Sequence, residues 1–153
     1  MPEFLTGIFS NYIIKVALIS WLTAQVLKTF INLLLTKRFE AERLVGAGGM
    51  PSSHTALVVS VVISTGKVCG TNSPMFAIAA VLAAVVMYDA MGVRRAAGEQ
   101  AKVINQLVDE WLDMAKVDRE KIPHFNELKE MLGHTPVEVI GGIIVGVVVS
   151  LLV

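Results

Sequence analysis

The sequence predicts an all-α membrane protein, a polytopic helical bundle of about four spans with one further amphipathic helix at the membrane interface. Of the 153 residues, 54% are hydrophobic and 17% are charged, whereas soluble domains carry about 25% charged residues. Most of the acidic residues fall in 103–138, while 5–35 contains only two charged residues. This uneven distribution is typical of a membrane protein with one water-facing connection.

Bulk charge and cysteine content argue against several other classes of protein. Thirteen basic residues balance thirteen acidic residues, which argues against a polybasic protein that binds nucleic acid. The high hydrophobic content excludes a disordered chain. Cys69 is the only cysteine, so an internal disulfide or a cysteine-based metal site cannot form.

Four apolar segments account for the predicted spans, and we treat residues 1–153 as a single membrane domain. The segments are 7–35, 52–69, 74–93 and 136–153. The second is short and has Lys67 near its outer end, so a re-entrant hairpin is an alternative to a full span. Since Met1–Phe4 contains Glu3 and no basic residue, we expect the first segment to be a retained span rather than a signal peptide.

The basic residues of the connections predict how the protein is oriented in the membrane. They lie in 36–51 and in 94–135, whereas 70–73 contains none. By the positive-inside rule, 36–51 and the connection 94–135 face the cytoplasm. Both termini then lie on the opposite side of the membrane.

The cytoplasmic connection 94–135 is expected to contain the amphipathic helix. Its apolar residues recur at helical spacing, with acidic residues between them, which favours a position at the interface or under the bundle. These residues are Val103, Leu107, Trp111 and Met114. A second short helix is predicted from the spacing of Phe125, Leu128 and Leu132.

Three polar clusters lie at the ends of the predicted spans. Residues 48–54 open the second span, 89–95 close the third, and 134–138 open the fourth. Because consecutive spans alternate in direction, these three ends share one face of the membrane. The sequence therefore predicts a single polar site, which the orientation places on the cytoplasmic side.

The cluster at 48–54 has the composition of an anion-binding helix start. Gly48 and Gly49 permit backbone torsions that are closed to other residues. Ser52 and Ser53 place hydroxyl groups beside the free N–H groups of a helix N-terminus, which attracts phosphate. His54 can hold or donate a proton near neutral pH. An N-cap with an incidental histidine is the alternative interpretation.

The cluster at 134–138 places His134 one helical turn before Glu138. A carboxylate four residues after a histidine can accept a hydrogen bond from Nδ1 and leave Nε2 available as a nucleophile or base. A helix-start histidine beside an acid that the helix dipole favours is the alternative interpretation.

Basic residues near this face could neutralise phosphate oxygens, although positive-inside anchoring also explains the arginines. The candidates are Arg94, Arg95, Arg43 and Lys37. Asp89 is costly in an apolar span unless it is paired, and its candidate partners are Arg94, Lys28 and Lys37. Together the three clusters fit the cleavage of a phosphate monoester or diphosphate through a phosphohistidine, without a metal or cofactor.

Three strings in the sequence resemble the divergent branch of the type 2 phosphatidic acid phosphatase and vanadium haloperoxidase superfamily. They are GGMPSSHTA at 48–56, YDAMGVRRAAGEQAKVINQ at 88–106 and LGHTPVEVIGG at 132–142. The resemblance extends over residues 44–146 and implies a small integral protein of a bacterial cell membrane. It also implies a phosphorylated lipid as the substrate or ligand.

The resemblance implies roles for individual residues. In the superfamily, a P-S-x-H motif provides a phosphate-binding serine and an acid histidine, and residues 51–54 match it. His134 matches the nucleophilic histidine, and Glu138 stands one position later than the expected aspartate. Leu128 occupies the position of an expected arginine, so Arg94 or Arg95 would supply that charge from another helix end. The first motif of the superfamily is only approximated, by Lys37 and Arg43.

The residues are consistent with three functions of different class. One is a phosphatase acting on a lipid phosphate or an isoprenoid (di)phosphate, with His134 as nucleophile and His54 as acid. Another is a non-catalytic protein that binds or moves a phosphorylated lipid in the same pocket. The third is a helical scaffold, because Gly142 and Gly146 have a small-xxx-small spacing. That glycine face could pack internally or against a second copy of the chain.

Overall fold

The computed structural model describes residues 2–37, 49–117, 127–130 and 132–153. Within them the chain forms six helices and no strand. The helices are α1 (Pro2–Ser10), α2 (Tyr12–Thr36), α3 (Ser53–Cys69), α4 (Pro74–Met91), α5 (Val93–Ala115) and α6 (Pro136–Leu152). The all-helical class expected from the sequence is therefore confirmed.

The first apolar segment is divided into two helices by Asn11. The Asn11 side chain accepts a hydrogen bond from the backbone N–H of Ile14 at 3.1 Å, so it acts as the N-cap of α2. Asparagine is among the residues that helix N-caps favour most. A continuous helix from residue 7 was expected, and the preference of Asn11 for a cap accounts for the difference.

Helix α3 lies at the centre of the bundle and packs against α2, α4 and α6. It runs antiparallel to α2, because the Ser20 hydroxyl donates to the Ala56 carbonyl at 3.0 Å and Lys67 Nζ lies 3.4 Å from the Tyr12 hydroxyl. It runs parallel to α6, since Lys67 Nζ also donates to the Ser150 carbonyl near the ends of both helices. The starts of α3 and α6 therefore lie together at the opposite end of the bundle.

Two helical stretches are long and apolar enough to cross a membrane, namely Tyr12–Thr36 and Pro74–Ala115. Helices α3 and α6 are also apolar, but each has 17 residues, which corresponds to about 26 Å of helix. Large apolar side chains face outwards, as at Leu22 and Leu82, while small ones such as Ala24 and Ala56 are buried. This distribution suits contact with lipid rather than with water.

The predicted connection 94–135 begins as helix, because α5 starts directly after Gly92. Gly92 ends α4 and opens α5, so Arg94 and Arg95 lie in the first turn of a helix rather than in a loop. Residues 127–130 are not helical, and the second short helix expected around Leu128 was wrong for this part of the chain. Asn105 of α5 instead binds the backbone N–H and carbonyl of Leu128.

The glycine face of α6 packs inside the molecule against α3. A Cβ atom built on Gly142 would lie 2.5 Å from the Ser52 carbonyl oxygen, and one on Gly146 would lie 2.8 Å from the Ala56 carbonyl oxygen. These distances leave no space for a side chain at either position. Of the two alternatives left open by the sequence, internal packing is the one that this face adopts.

Gly142→Ala should destabilise the bundle, because the added methyl group would also meet Thr55 Cβ at 2.7 Å. Overpacking of this kind costs about 1–3 kcal/mol. The expected result is a lower midpoint of thermal unfolding in detergent. Gly7→Ala is the control, since no described atom lies within 4 Å of a Cβ built there. Equal shifts in the two variants would contradict this account of α3–α6 packing.

Candidate functional site

The candidate site lies at the end of the bundle where α4 ends and where α3 and α6 begin. The backbone N–H of Ser52 donates to the Glu138 carbonyl at 2.9 Å, and the N–H of His134 donates to the Ala90 carbonyl at 2.8 Å. These two bonds tie the start of α3 to α6 and the segment before α6 to α4. The described parts of the three polar clusters therefore meet at one end of the bundle.

The imidazole rings of His54 and His134 face each other across this site. Their centroids are 6.3 Å apart and their planes are inclined by 51°. His134 is 5% exposed, whereas His54 is exposed. A tetrahedral oxyanion has oxygen atoms on several sides, so a single phosphate group can reach both rings across such a gap.

The orientation of His134 is fixed by Glu138. His134 Nδ1 and Glu138 Oε2 are 3.0 Å apart, which is hydrogen-bond distance. The same Oε2 accepts from the backbone N–H of Thr135 at 3.1 Å, while the Thr135 hydroxyl accepts from the N–H of Glu138 at 3.4 Å. This reciprocal capping box holds the carboxylate in place. Because Nδ1 is occupied by Glu138, Nε2 is the ring atom left to meet a ligand.

The two serines at the start of α3 have different surroundings. Ser52 is the N-cap, and its hydroxyl oxygen accepts from the backbone N–H of Thr55 at 3.3 Å and from the Thr55 hydroxyl at 3.0 Å. Ser53 is 1% exposed, and its hydroxyl has no hydrogen-bond partner among the described residues. Ser53 is thus the serine whose hydroxyl is available to a ligand.

A cleft of about 180 Å³ opens beside His134. Gly133 packs closely against the first turn of α5, since a Cβ built on Gly133 would lie 2.4 Å from the backbone nitrogen of Arg95. This turn of α5 forms one wall of the cleft. Gly133 has a positive φ of 79°, a conformation open to glycine at no steric cost. The cleft is lined by Gly49, Arg95, Glu99, Leu132, Gly133, His134, Thr135 and Glu138.

The basic residues proposed from the sequence lie in different environments. Arg95 lines the cleft, while Arg94 is largely exposed and its Nε lies 2.5 Å from Asp89 Oδ2. Arg94 is therefore the partner of Asp89, and its charge also acts on His54. Lys37 is an exposed residue that ends α2 and is not among the cleft residues. Arg43 and Gly48 lie outside the described residues.

Sequence reasoning missed Lys28 as a residue of this end of the bundle. Lys28 is 2% exposed, and its charge acts on His54. The available signal was a lysine within an otherwise apolar span, which is costly and commonly functional in membrane proteins. In the sequence analysis Lys28 was considered only as a candidate partner of Asp89, and the structure shows an ion pair between Asp89 and Arg94.

Asn105 is a second residue that the sequence reasoning missed. It is buried in α5, donates from Nδ2 to the Leu128 carbonyl at 2.9 Å, and accepts at Oδ1 from the Leu128 N–H at 3.1 Å. Nδ2 also donates to Glu130 Oε1 at 2.9 Å. One amide thus binds both backbone groups of Leu128, only a few residues before His134. An isolated asparagine in an amphipathic pattern gives no sign of such a role.

Comparisons with known proteins agree with this architecture. A profile of the divergent PAP2 family matches residues 9–149. The uncharacterized membrane protein YuiD of Bacillus subtilis (strain 168) is 37% identical over 152 residues, and the alignment covers 94% of each chain. No solved structure gives a significant match. Together with the two long apolar helices, the likeness to a membrane protein indicates that the chain is an integral membrane protein.

Asn105→Ala should loosen the segment that leads to His134, because both backbone groups of Leu128 lose their amide partner. We expect faster amide hydrogen exchange in 127–130, measured by mass spectrometry in detergent, with little change in α2 or α3. Gln106→Ala is the matched control, since Gln106 is the exposed neighbour on the same helix. Unchanged exchange in 127–130 would contradict the role assigned to Asn105.

Proposed function

Since this chain belongs to the divergent PAP2 family, we propose that it is a membrane phosphatase that hydrolyses a lipid phosphate or an isoprenoid (di)phosphate through a phosphohistidine. The observation that carries this proposal is the pair of imidazoles 6.3 Å apart, one of them held at Nδ1 by a carboxylate. A nucleophile, a group that orients it and a second proton-transfer group are the elements that such chemistry needs.

In the first step, His134 Nε2 attacks the phosphorus atom of the substrate. The new N–P bond forms as the P–O bond to the lipid breaks, and His54 in its protonated form donates a proton to the departing oxygen. Glu138 accepts the Nδ1 hydrogen bond and stabilises the positive charge that develops on His134. The lipid leaves as an alcohol, or as a lipid monophosphate when the substrate is a diphosphate.

In the second step, water attacks the phosphohistidine. His54, now neutral, takes a proton from that water as its oxygen bonds to phosphorus. The N–P bond breaks, inorganic phosphate is released, and both histidines return to their starting states. The protein needs no metal ion for either step, because positive charge and hydrogen-bond donors act on the phosphate oxygens.

The phosphate oxygens would be held by groups from two helices, α3 and α5. The Ser53 hydroxyl and the free N–H groups at the start of α3 form one side. Arg95 approaches from the first turn of α5 and lines the cleft beside His134. Arg94 adds charge near His54, although its pairing with Asp89 reduces what it can offer to a ligand.

We assign four spans to the bundle, namely α2, α3, α4 and α6, with α5 as the amphipathic helix at the interface. Helices α3 and α6 are short for a crossing, but their polar starts would lie at headgroup level, where a phosphorylated lipid presents its phosphate. The basic connections favour a cytoplasmic site, with both termini on the other side. A lipid substrate could then enter laterally from the bilayer.

Binding without turnover is the second candidate function, and one observation favours it. Leu128 replaces an arginine expected near the nucleophile, and its backbone is held by Asn105, so position 128 supplies no positive charge to the transition state. A protein with this site could bind or move a phosphorylated lipid. Saturable binding of such a lipid with no release of phosphate would favour this function.

His134→Ala should abolish phosphate release, since the atom that attacks phosphorus is lost. The assay is release of inorganic phosphate from a panel of lipid phosphates and isoprenoid diphosphates by the detergent-purified protein. His54→Ala should reduce the rate by about 10²–10⁴-fold, the contribution typical of a general acid. His124→Ala is the matched control, because His124 lies in none of the three motif strings. A wild-type protein inert towards the whole panel would contradict the proposed hydrolysis.

Glu138→Gln should lower kcat by about 10²-fold or more, because an amide no longer selects the required tautomer or stabilises the developing charge. KM should change little, since Glu138 faces the histidine rather than the phosphate. Glutamine still fits the capping box, so the midpoint of thermal unfolding should stay near that of the wild type. A kcat equal to that of the wild type would show that Glu138 does not orient His134.

A further inference from the structure

Helix α5 follows α4 after Gly92 and packs little against the rest of the bundle. Among the described helices, α4 is the only one with which α5 makes more than incidental contact. One face of α5 is covered by the chain before α6, because Asn105 binds Leu128 and a Cβ built on Gly98 would lie 2.5 Å from the Glu130 carbonyl oxygen. The other faces of α5 are left open.

One of these open faces, which we call the α5 seam, carries a row of exposed residues at heptad spacing. Successive members are separated alternately by four and by three residues. They are Val93, Ala97, Gln100, Ile104, Leu107, Trp111 and Met114, and all of them are exposed. Leu107 and Trp111 are each 59% exposed, and Met114 is 77% exposed. A repeat of this kind is the pattern by which two helices pair along their length.

A shallow hollow lies beside the middle of the α5 seam. It has a volume of about 380 Å³ and is lined by Glu99, Gln100, Val103 and Ile104. In paired helices each seam side chain inserts into a space between residues of the facing helix. The hollow is therefore a place where a large side chain of a facing helix could insert.

The charges of α5 favour a facing helix of the same sequence that runs in the opposite direction. Residues 93–103 contain three basic residues and one acidic residue, whereas 104–115 contain three acidic residues and no basic one. In an antiparallel pair, the basic half of each helix lies beside the acidic half of the other, and the two helix dipoles are also opposed. Parallel pairing would place like charges together. Complementarity of this kind selects the partner and its orientation.

The same charges make the bilayer a poor cover for the α5 seam. Helices that lie in a membrane surface are typically rich in lysine and arginine on their polar face, and the cytoplasmic leaflet is negatively charged. After Arg95, the only basic residue of α5 is Lys102, whereas Asp109, Glu110 and Asp113 follow it. An anionic lipid surface would repel this acidic half.

We propose that the α5 seam is the interface between two copies of this chain, which pair through antiparallel α5 helices. Two copies inserted the same way are related by a two-fold axis along the membrane normal. A helix that lies in the membrane plane meets its own copy antiparallel about such an axis. Gln100 is the one polar member of the seam and would fix how the helices align. The inference rests on the proposed position of α5 at the interface and is independent of hydrolysis.

The first experiment cross-links the whole chain in liposomes with a short, membrane-permeant bismaleimide. Cys69→Ser removes the only cysteine, and single cysteines are then introduced. Ile104→Cys, near the middle of the seam, should link to its own copy and give a covalent dimer on a denaturing gel. Val93→Cys should not, because antiparallel pairing separates the two copies of residue 93 by more than about 25 Å.

Co-expression of two variants tests the orientation directly. Val93→Cys and Met114→Cys, carrying tags of different length, should link to each other, since opposite ends of the seam meet in an antiparallel pair. Gln106→Cys is the matched control, because Gln106 is exposed near Ile104 but lies outside the seam. Self-linking of Val93→Cys, equal linking at Gln106→Cys, or no linking at Ile104→Cys would each overturn the proposal.

Light scattering of the detergent-purified protein measures the number of chains. The wild type and Gln106→Lys should contain two chains, while Leu107→Lys should contain one, because it places a charge in an apolar interface. If Leu107→Lys does not fold, the cross-linking pattern decides. A monomeric wild type would overturn the proposal. If Ile104→Cys in liposomes neither links nor reacts with a water-soluble maleimide, lipid covers the seam and the proposal is also overturned.

Discussion

The close approach of α3 and α6 is the constraint on which the site depends. Where the helices meet, α6 presents Gly142 and Gly146, and a Cβ at either position would fall within 3 Å of an α3 carbonyl oxygen. This contact lets the Ser52 N–H reach the Glu138 carbonyl at 2.9 Å. Since His54 follows Ser52 by two residues and His134 is bound to Glu138, the distance between the imidazoles follows from the packing of the two helices.

The residues buried inside the bundle are those expected for a protein that folds in lipid. Lipid tails are as apolar as leucine, so burying large apolar residues gains little, and helices associate through close packing and internal hydrogen bonds. Accordingly, the fully buried residues include Val16, Ser20, Ser60 and Ser64, and the Ser20 hydroxyl binds an α3 carbonyl. Because polar side chains are already part of this core, a polar site at one end does not interrupt the packing of the helices.

The sequence predicted the features that follow from pattern and span count. These were the helical class, the meeting of the polar clusters at one end, and the reach of Glu138 to His134 Nδ1 at a four-residue spacing. It did not predict the break between α1 and α2 at Asn11, because the only signal was the capping preference of one residue within a long apolar run. It also missed the bonds of Asn105 to Leu128, which join residues far apart in sequence and depend on how α5 lies against the chain before α6.

Some buried polar groups of α2 and α3 have their hydrogen bonds satisfied within the chain, and others do not. Lys28 of α2 is 2% exposed, and a buried charge has to be compensated in the folded protein. Among the described residues, Gln25 Oε1, Ser53 Oγ and Ser64 Oγ are buried without hydrogen-bond partners. Ser53 lies at the end of the bundle that holds the two histidines, and Ser64 lies further along α3. Other polar groups deeper inside, such as Ser20 and Ser150, bind backbone carbonyls. Natural proteins break local rules of this kind mainly at functional sites, and the unpartnered hydroxyl of Ser53 lies directly beside His54 at the candidate site.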